Sequence, residues 1–297
     1  MDLPETRTIL GAMMFLAAMA RPAGAQEQVS FPALDAELTG GPATQITGYL
    51  YKPSGAGPFP AVVGLHGCGG LFNRQGRIVA RETAWAKTLT ELGYAVLYPD
   101  SFGPRGVASA CADGGPGVRP WAERAADAYG ALAYLQSQPF IIGERVGLMG
   151  WSHGGGTVLY TIATADKRRP AALPKGDFRA AVAFYPGWCD AKYLGDSWST
   201  AIPLSVQIGA DDDWTRAAPC ADLIQGAAQR GVPARITVYD GAYHDFDWPG
   251  MAVHTSMPRV GKIVHTGINP DARAAVLVSV PAFFDQSLKA PVSPGAP

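Results

Sequence analysis

The sequence predicts an α/β fold, a mostly parallel sheet with helices on both faces, and three observations carry that prediction. Strand-like and helix-like segments alternate along the chain. Hydroxyl, acidic and histidine side chains gather just after the apolar strand-like runs, where an open parallel sheet presents its carboxyl ends. The stretch GLMGWSHGGGT (147–157) drives one such run into a burst of glycines around a single serine, Ser152.

In order, Val29–Leu38 and Gln45–Tyr51 read as an antiparallel hairpin near the start. Short apolar runs then mark parallel strands at Pro60–Leu65, Ala95–Tyr98, Val146–Met149, Ala180–Tyr185, Pro203–Ile208 and Ala234–Tyr239. Longer windows between them predict helices over Ile78–Leu92, Trp121–Gln136, Thr157–Ala165 and Ala217–Arg230. A last helix is expected from Asp271 to Leu288, kinked at Pro281, whose ring clashes with the preceding turn. Residues 101–120 form a long Gly/Pro-rich loop, of a length that tends to serve function.

The first 25 residues resemble a secretory signal, with Arg7 in a short polar start, an apolar stretch Ile9–Ala20 and an Ala23-Gly24-Ala25 cleavage site. Asp2 and Glu5 weaken the positive start, and an uncleaved anchor is the alternative. The expected organisation is a signal at 1–25, one domain at 26–288 and a loose Pro/Gly-rich tail at 289–297. A periplasmic or secreted location follows from the signal. Charged residues make up 16% of the chain and the net charge is -1, so no basic stripe is present to bind nucleic acid. No other apolar run is long enough for a membrane span. No His/Cys/Glu spacing marks a metal site and no glycine loop marks a nucleotide site, so no cofactor is expected.

Gly150-Trp151-Ser152-His153-Gly154 fits G-x-S-x-G, a weak signal alone and a stronger one between a strand and a helix. There the serine sits on a sharp turn, and neighbours without Cβ relieve the crowding. The other strand ends deliver His66-Gly-Cys-Gly-Gly70, Pro99–Arg105, Pro186–Cys189, Gly209–Trp214 and Asp240–Phe246. A hydroxyl, acids and a histidine thus reach one edge in the chain order Ser, Asp, His.

LHGCGGL (65–71), PDSFGPRG (99–106), GWSHGG (150–155), GADDDWT (209–215) and AYHDF (242–246) together resemble the dienelactone hydrolase family of α/β-hydrolases. The likeness extends over most of residues 45–290 and implies an α/β-hydrolase fold. That family often carries cysteine at the nucleophile position; Ser152 departs from it and favours a general serine esterase. The expected function is a serine carboxylic ester hydrolase acting through a triad and an acyl-enzyme on a small-molecule or polymeric ester. A serine peptidase of similar fold and a non-catalytic binding protein are the alternatives. The oligomeric state is left open.

Ser152 is the expected nucleophile and His244 its base, with His254 and His265 as rivals farther from a strand end. Asp211, Asp212 and Asp213 compete for the acid; spacing leaves them equal, and the family pattern G-x-x-D points to Asp212. The N–H groups of His153 and of Cys68 are expected to bind the oxyanion, while His66 bonds locally. Trp151, Trp188, Trp214 and Phe246 are candidate pocket walls, with core packing as the plainer role. Arg105 is a candidate for a substrate carboxylate, with a structural ion pair as the equal alternative. Four cysteines in an oxidising compartment suggest disulfides. Cys68 and Cys111 follow one consecutive pair of strands, Cys189 and Cys220 another, so the pairs Cys68–Cys111 and Cys189–Cys220 are expected. Four buried thiols are the alternative.

Overall fold

Runs of alanine, valine and leucine without polar alternation need cover on both faces, and they form the centre of one eight-stranded sheet. The computed structural model describes residues 26–112, 118–165, 169–170, 173–259 and 262–289. The expected signal at 1–25, Gly114, Gly115 and Gly117 of the long loop, and the expected tail beyond Lys289 lie outside them.

The strands are β1 (Gln26–Pro32), β2 (Gln45–Tyr51), β3 (Phe59–Leu65), β4 (Ala95–Asp100), β5 (Ile141–Trp151), β6 (Ala180–Phe184), β7 (Leu204–Gly209) and β8 (Ala234–Tyr239). Their order across the sheet is β1-β2-β4-β3-β5-β6-β7-β8. β1 and β2 run antiparallel to their neighbours, and every pairing from β4 through β3 to β8 is parallel. β4, β6 and β7 are buried throughout, whereas β1 and β8 are edges that alternate with solvent. The chain steps from β3 to β4 on one side and to β5 on the other, so the strand order reverses beside β3 and opens a crevice at its carboxyl end.

Helices α1 (Ala36–Thr39), α2 (Ala80–Glu91), α3 (Glu123–Gln136), α4 (His153–Thr161), α5 (Ala191–Leu194), α6 (Ala217–Gln229) and α7 (Pro270–Phe284) connect and cover the strands. Four expectations shift. Val29–Leu38 is a strand only to Pro32; Asp35 then accepts from Thr44 N and Oγ1 and closes a turn into α1. The helix expected over Thr157–Ala165 begins at His153, directly after the serine. The last helix runs to Phe284, and after Pro281 it widens into a π-turn at Asp285–Lys289. A separate hairpin, β9 (His254–Arg259) and β10 (Lys262–Thr266), was not expected, since Pro258 argues against a strand. No helix among the described residues is long and apolar enough to cross a membrane.

Candidate active site

Ser152 follows the last residue of β5 and has φ 52°, a value that costs a residue bearing a Cβ. The turn is held from three directions: Ser152 N–H donates to Phe184 O at 3.0 Å, and its carbonyl accepts from Gly156 N at 2.8 Å and Gly187 N at 2.9 Å. The flanking glycines answer a packing need. A Cβ on Gly150 would strike Gly154 O, and one on Gly154 would strike Leu65 O. The helix therefore starts inside the glycine run despite the low helix propensity of glycine. Tyr185 (φ 32°), Trp188 (φ 59°) and Asp245 (φ 61°) are the other described non-glycine residues with positive φ, and all follow strands at this edge.

His244 hangs from the loop after β8, and Asp212 from the turn after β7. His244 Nε2 lies 2.9 Å from Ser152 Oγ, and Nδ1 lies 2.8 Å from Asp212 Oδ2. The ring sits between Tyr185 (centroids 4.5 Å apart) and Trp214 (4.8 Å). Burial opposes its charged form, but the charge of Asp212 and its hydrogen bond overcome this, and the pKa is raised. Asp212 is fixed in turn by Trp214 N, Thr215 N and Thr215 Oγ1. Thr215 was missed in the sequence; an acid whose side chain caps the N–H groups two and three residues on is its local signal.

The rivals go elsewhere. Asp213 Oδ2 pairs with His265 Nδ1 at 2.8 Å, and Asp211 is exposed. His254 bonds Ala252 O and Thr266 Oγ1. His66 bonds Gly67 O and receives Ser101 N–H. Its pKa is pushed well down by burial and by Arg124.

His153 is the first residue of α4, a position whose N–H has no intrahelical acceptor. The Cys68 loop faces it across the serine, and Cys68 and Ser152 bound the same two cavities. The buried guanidinium of Arg124 donates to His153 Nδ1 at 2.7 Å and to His66 O at 2.8 Å. It ties the helix start to the loop opposite. Burial and that guanidinium hold His153 neutral, with its pKa well down.

Beneath the site lies a second polar cluster that the sequence reading missed. Asp247, 1% exposed, accepts from Trp85 Nε1 (2.8 Å), Trp151 Nε1 (3.0 Å) and Tyr185 OH (2.6 Å). Arg81 donates to Tyr185 OH (3.1 Å), Asp245 Oδ1 (2.8 Å) and Glu82 Oε1 (2.6 Å). Its guanidinium lies between the rings of Trp151 and Trp248. The residue before the serine and the loop after the histidine are thus fastened to one carboxylate.

Of the candidate wall residues, Trp188 and Trp214 bound a cavity of about 520 Å³ beside Ser152. Trp151 and Phe246 do not: both are fully buried, Trp151 stacked on Phe184 and Phe246 packed on Tyr185, so they belong to the core. For Arg105 the structural ion pair is what forms, not a substrate contact. Its two terminal nitrogens are taken by both oxygens of Asp127 and by Asp35 and Ser101 O, which leaves it no part in either cavity beside Ser152. Cys68–Cys111 and Cys189–Cys220 are bridged, with Cα atoms 4.8 and 4.7 Å apart. The first bridge clamps the long loop, and Ala110 N–H adds a 2.8 Å bond to Cys68 O.

A mostly parallel sheet with a serine on a strand-to-helix turn at its reversal point is the architecture of an α/β-hydrolase. The dienelactone hydrolase family model matches residues 46–288, and the chain belongs to that family. Among solved structures, a dienelactone hydrolase-like promiscuous phosphotriesterase from metagenomic libraries is similar at TM-score 0.61 and 22% identity, covering 89% of this chain and 99% of its own. The Pyrococcus horikoshii acylaminoacyl peptidase is similar at TM-score 0.62 and 15% identity, over 93% of this chain and 43% of its own. A Bacillus subtilis protein, YtaP, is 32% identical over 132 residues, 40% of this chain and 44% of that relative, so the match spans less than half of it.

Proposed function

We propose that the chain is a serine carboxylic ester hydrolase working outside the cytoplasm. The observation that carries this is the unbroken hydrogen-bonded series from Ser152 Oγ through His244 to Asp212. Ser152 Oγ attacks the ester carbonyl as its proton passes to His244 Nε2, and Asp212 stabilises the imidazolium. The N–H groups of His153 and Cys68 bind the oxyanion. The proton then goes to the departing alkoxide, leaving an acyl-enzyme that water cleaves by the same relay. Two disulfides support a location where thiols are oxidised, in keeping with the signal-like first 25 residues.

The test pairs a fluorophosphonate probe with p-nitrophenyl esters and a peptide anilide. The probe should label the protein, Ser152→Ala should abolish labelling and turnover, and the ester should outrun the anilide. Peptide hydrolysis is the second reading, since an acylaminoacyl peptidase shares the fold over 43% of its own chain; a faster anilide puts it first. A protein that neither labels nor turns over would be a binding module.

A further inference from the structure

Ser152 lies at the seam of two cavities. Both are bounded by Ser152, by Trp214 and by the Cys68–Cys111 bridge, which together form a ridge. The cavity of about 520 Å³ reaches toward the segments after β6 and β7, past Trp188, Tyr193 and Arg216; it touches His153 and not His244. The second, about 350 Å³, reaches toward the β9–β10 hairpin, past Trp248, Met251, Ser256 and Met257; it touches His244 and not His153. Each volume falls within the roughly 300–1,000 Å³ of ordinary ligand sites.

The chemistry assigns the two sides. When the tetrahedral intermediate collapses, the bond from the carbonyl carbon to the alcohol oxygen breaks, and the proton on His244 Nε2 moves to that oxygen. The departing alcohol must therefore lie on the imidazole side, in the smaller cavity. The oxyanion is directed at the N–H groups of His153 and of Cys68 on the ridge between the cavities, which leaves the acid's own substituent for the larger one. Neither side is a blind wall.

Resting on the ester hydrolase reading above, we propose that the substrate class is esters bulky on both flanks, with the acid arm in the larger cavity and the alcohol arm in the smaller. Such a seat suits an ester bond inside a longer molecule rather than at its end. The acid side offers aromatic faces from Trp188, Tyr193 and Trp214, suited to a ring. The alcohol side offers Met251 and Met257, whose flexible thioethers adapt to varied apolar groups. The hairpin that supplies Met257 is joined to the site: His265 pairs with Asp213, Lys262 Nζ donates to Trp214 O at 3.3 Å, and just past its end Gly267 N–H donates to His244 O at 2.9 Å.

The test uses two ester series on the full chain. One holds the alcohol constant and varies the acid, from p-nitrophenyl acetate to octanoate and benzoate. The other holds acetate constant and varies the alcohol, from methyl to butyl, benzyl and naphthylmethyl. Ser256→Trp fills the smaller cavity and should lower the benzyl-to-methyl ratio of kcat/KM by about tenfold or more, with no such fall in the octanoate-to-acetate ratio. Arg216→Trp, on the larger cavity, should do the reverse. Met251→Ala, which widens the smaller cavity and adds no bulk, should raise the naphthylmethyl-to-benzyl ratio. Ratios that move in the opposite series, or in neither, overturn the assignment while wild-type ester turnover dependent on Ser152 keeps the hydrolase reading. Absence of that turnover overturns both.

Discussion

At the scale of single residues, burial and charge pull His244 in opposite directions, and Asp212 decides the outcome. In the proposed relay His244 acts as the neutral imidazole, so kcat/KM should fall as pH drops through a pKa raised above the ordinary histidine value. Asp212→Asn removes the largest raising influences and leaves the burial, with only the weaker pull of Asp245 against it, so the acid limb of the rate profile should move down. Turnover near neutrality should drop on the order of 10⁴-fold, as in triads whose acid is made neutral. The pH dependence of p-nitrophenyl acetate hydrolysis checks both parts. The same change at Asp213 should spare the profile, because its partner is His265. Gly154 is constrained by contact rather than charge. Gly154→Ala places a methyl against Leu65 O and should lower stability by about 1–3 kcal/mol, read from the urea midpoint.

At the scale of elements, a helix, a strand end and a loop all donate to one buried carboxylate on a further loop. Asp247→Ala would leave Trp85, Trp151 and Tyr185 with unmet donors, each worth about 1–3 kcal/mol. We expect a loss of at least about 3 kcal/mol by denaturant titration, and a lower kcat as the loop of His244 loses its fastening. This cluster also marks where sequence reading stops. Ser152 and His244 could be found because each follows a strand-like run, and Asp212 because the family pattern G-x-x-D picks it from three acids that spacing leaves equal; Thr215 is three residues from Asp212. Asp247 meets its partners only through the fold, since Trp85 and Trp151 come from α2 and β5. Arg105 was ambiguous for the same reason: Asp35 and Asp127 are remote in the chain and adjacent in space. The β9–β10 hairpin was hidden by its proline and its mixed polarity.

At the scale of the whole molecule, the parallel core was legible because burial on both faces writes itself as uninterrupted apolar runs, and even the edge β8 was found at Ala234–Tyr239, while the edge β1 alternates and its expected run blurred into the loop after Pro32. Two covalent links reinforce that core, joining positions 43 and 31 residues apart. Closing loops of that length contributes about 4 kcal/mol each in the chain-entropy account. Removing either pair as a double alanine change should lower the melting temperature, checked by calorimetry with and without reductant. The Cys68–Cys111 pair should also alter which esters are turned over, whereas Cys189–Cys220 touches only the larger cavity through Cys189. The ridge between the cavities therefore carries a consequence for manufacture. Batches made in a reducing and an oxidising host should give similar far-ultraviolet dichroism in the cold and part on heating, because the bridges lie at the sheet's edge rather than within its strands. They should differ in product profile on mixed esters, so a preparation passed as folded can still be the wrong catalyst until its thiols are counted.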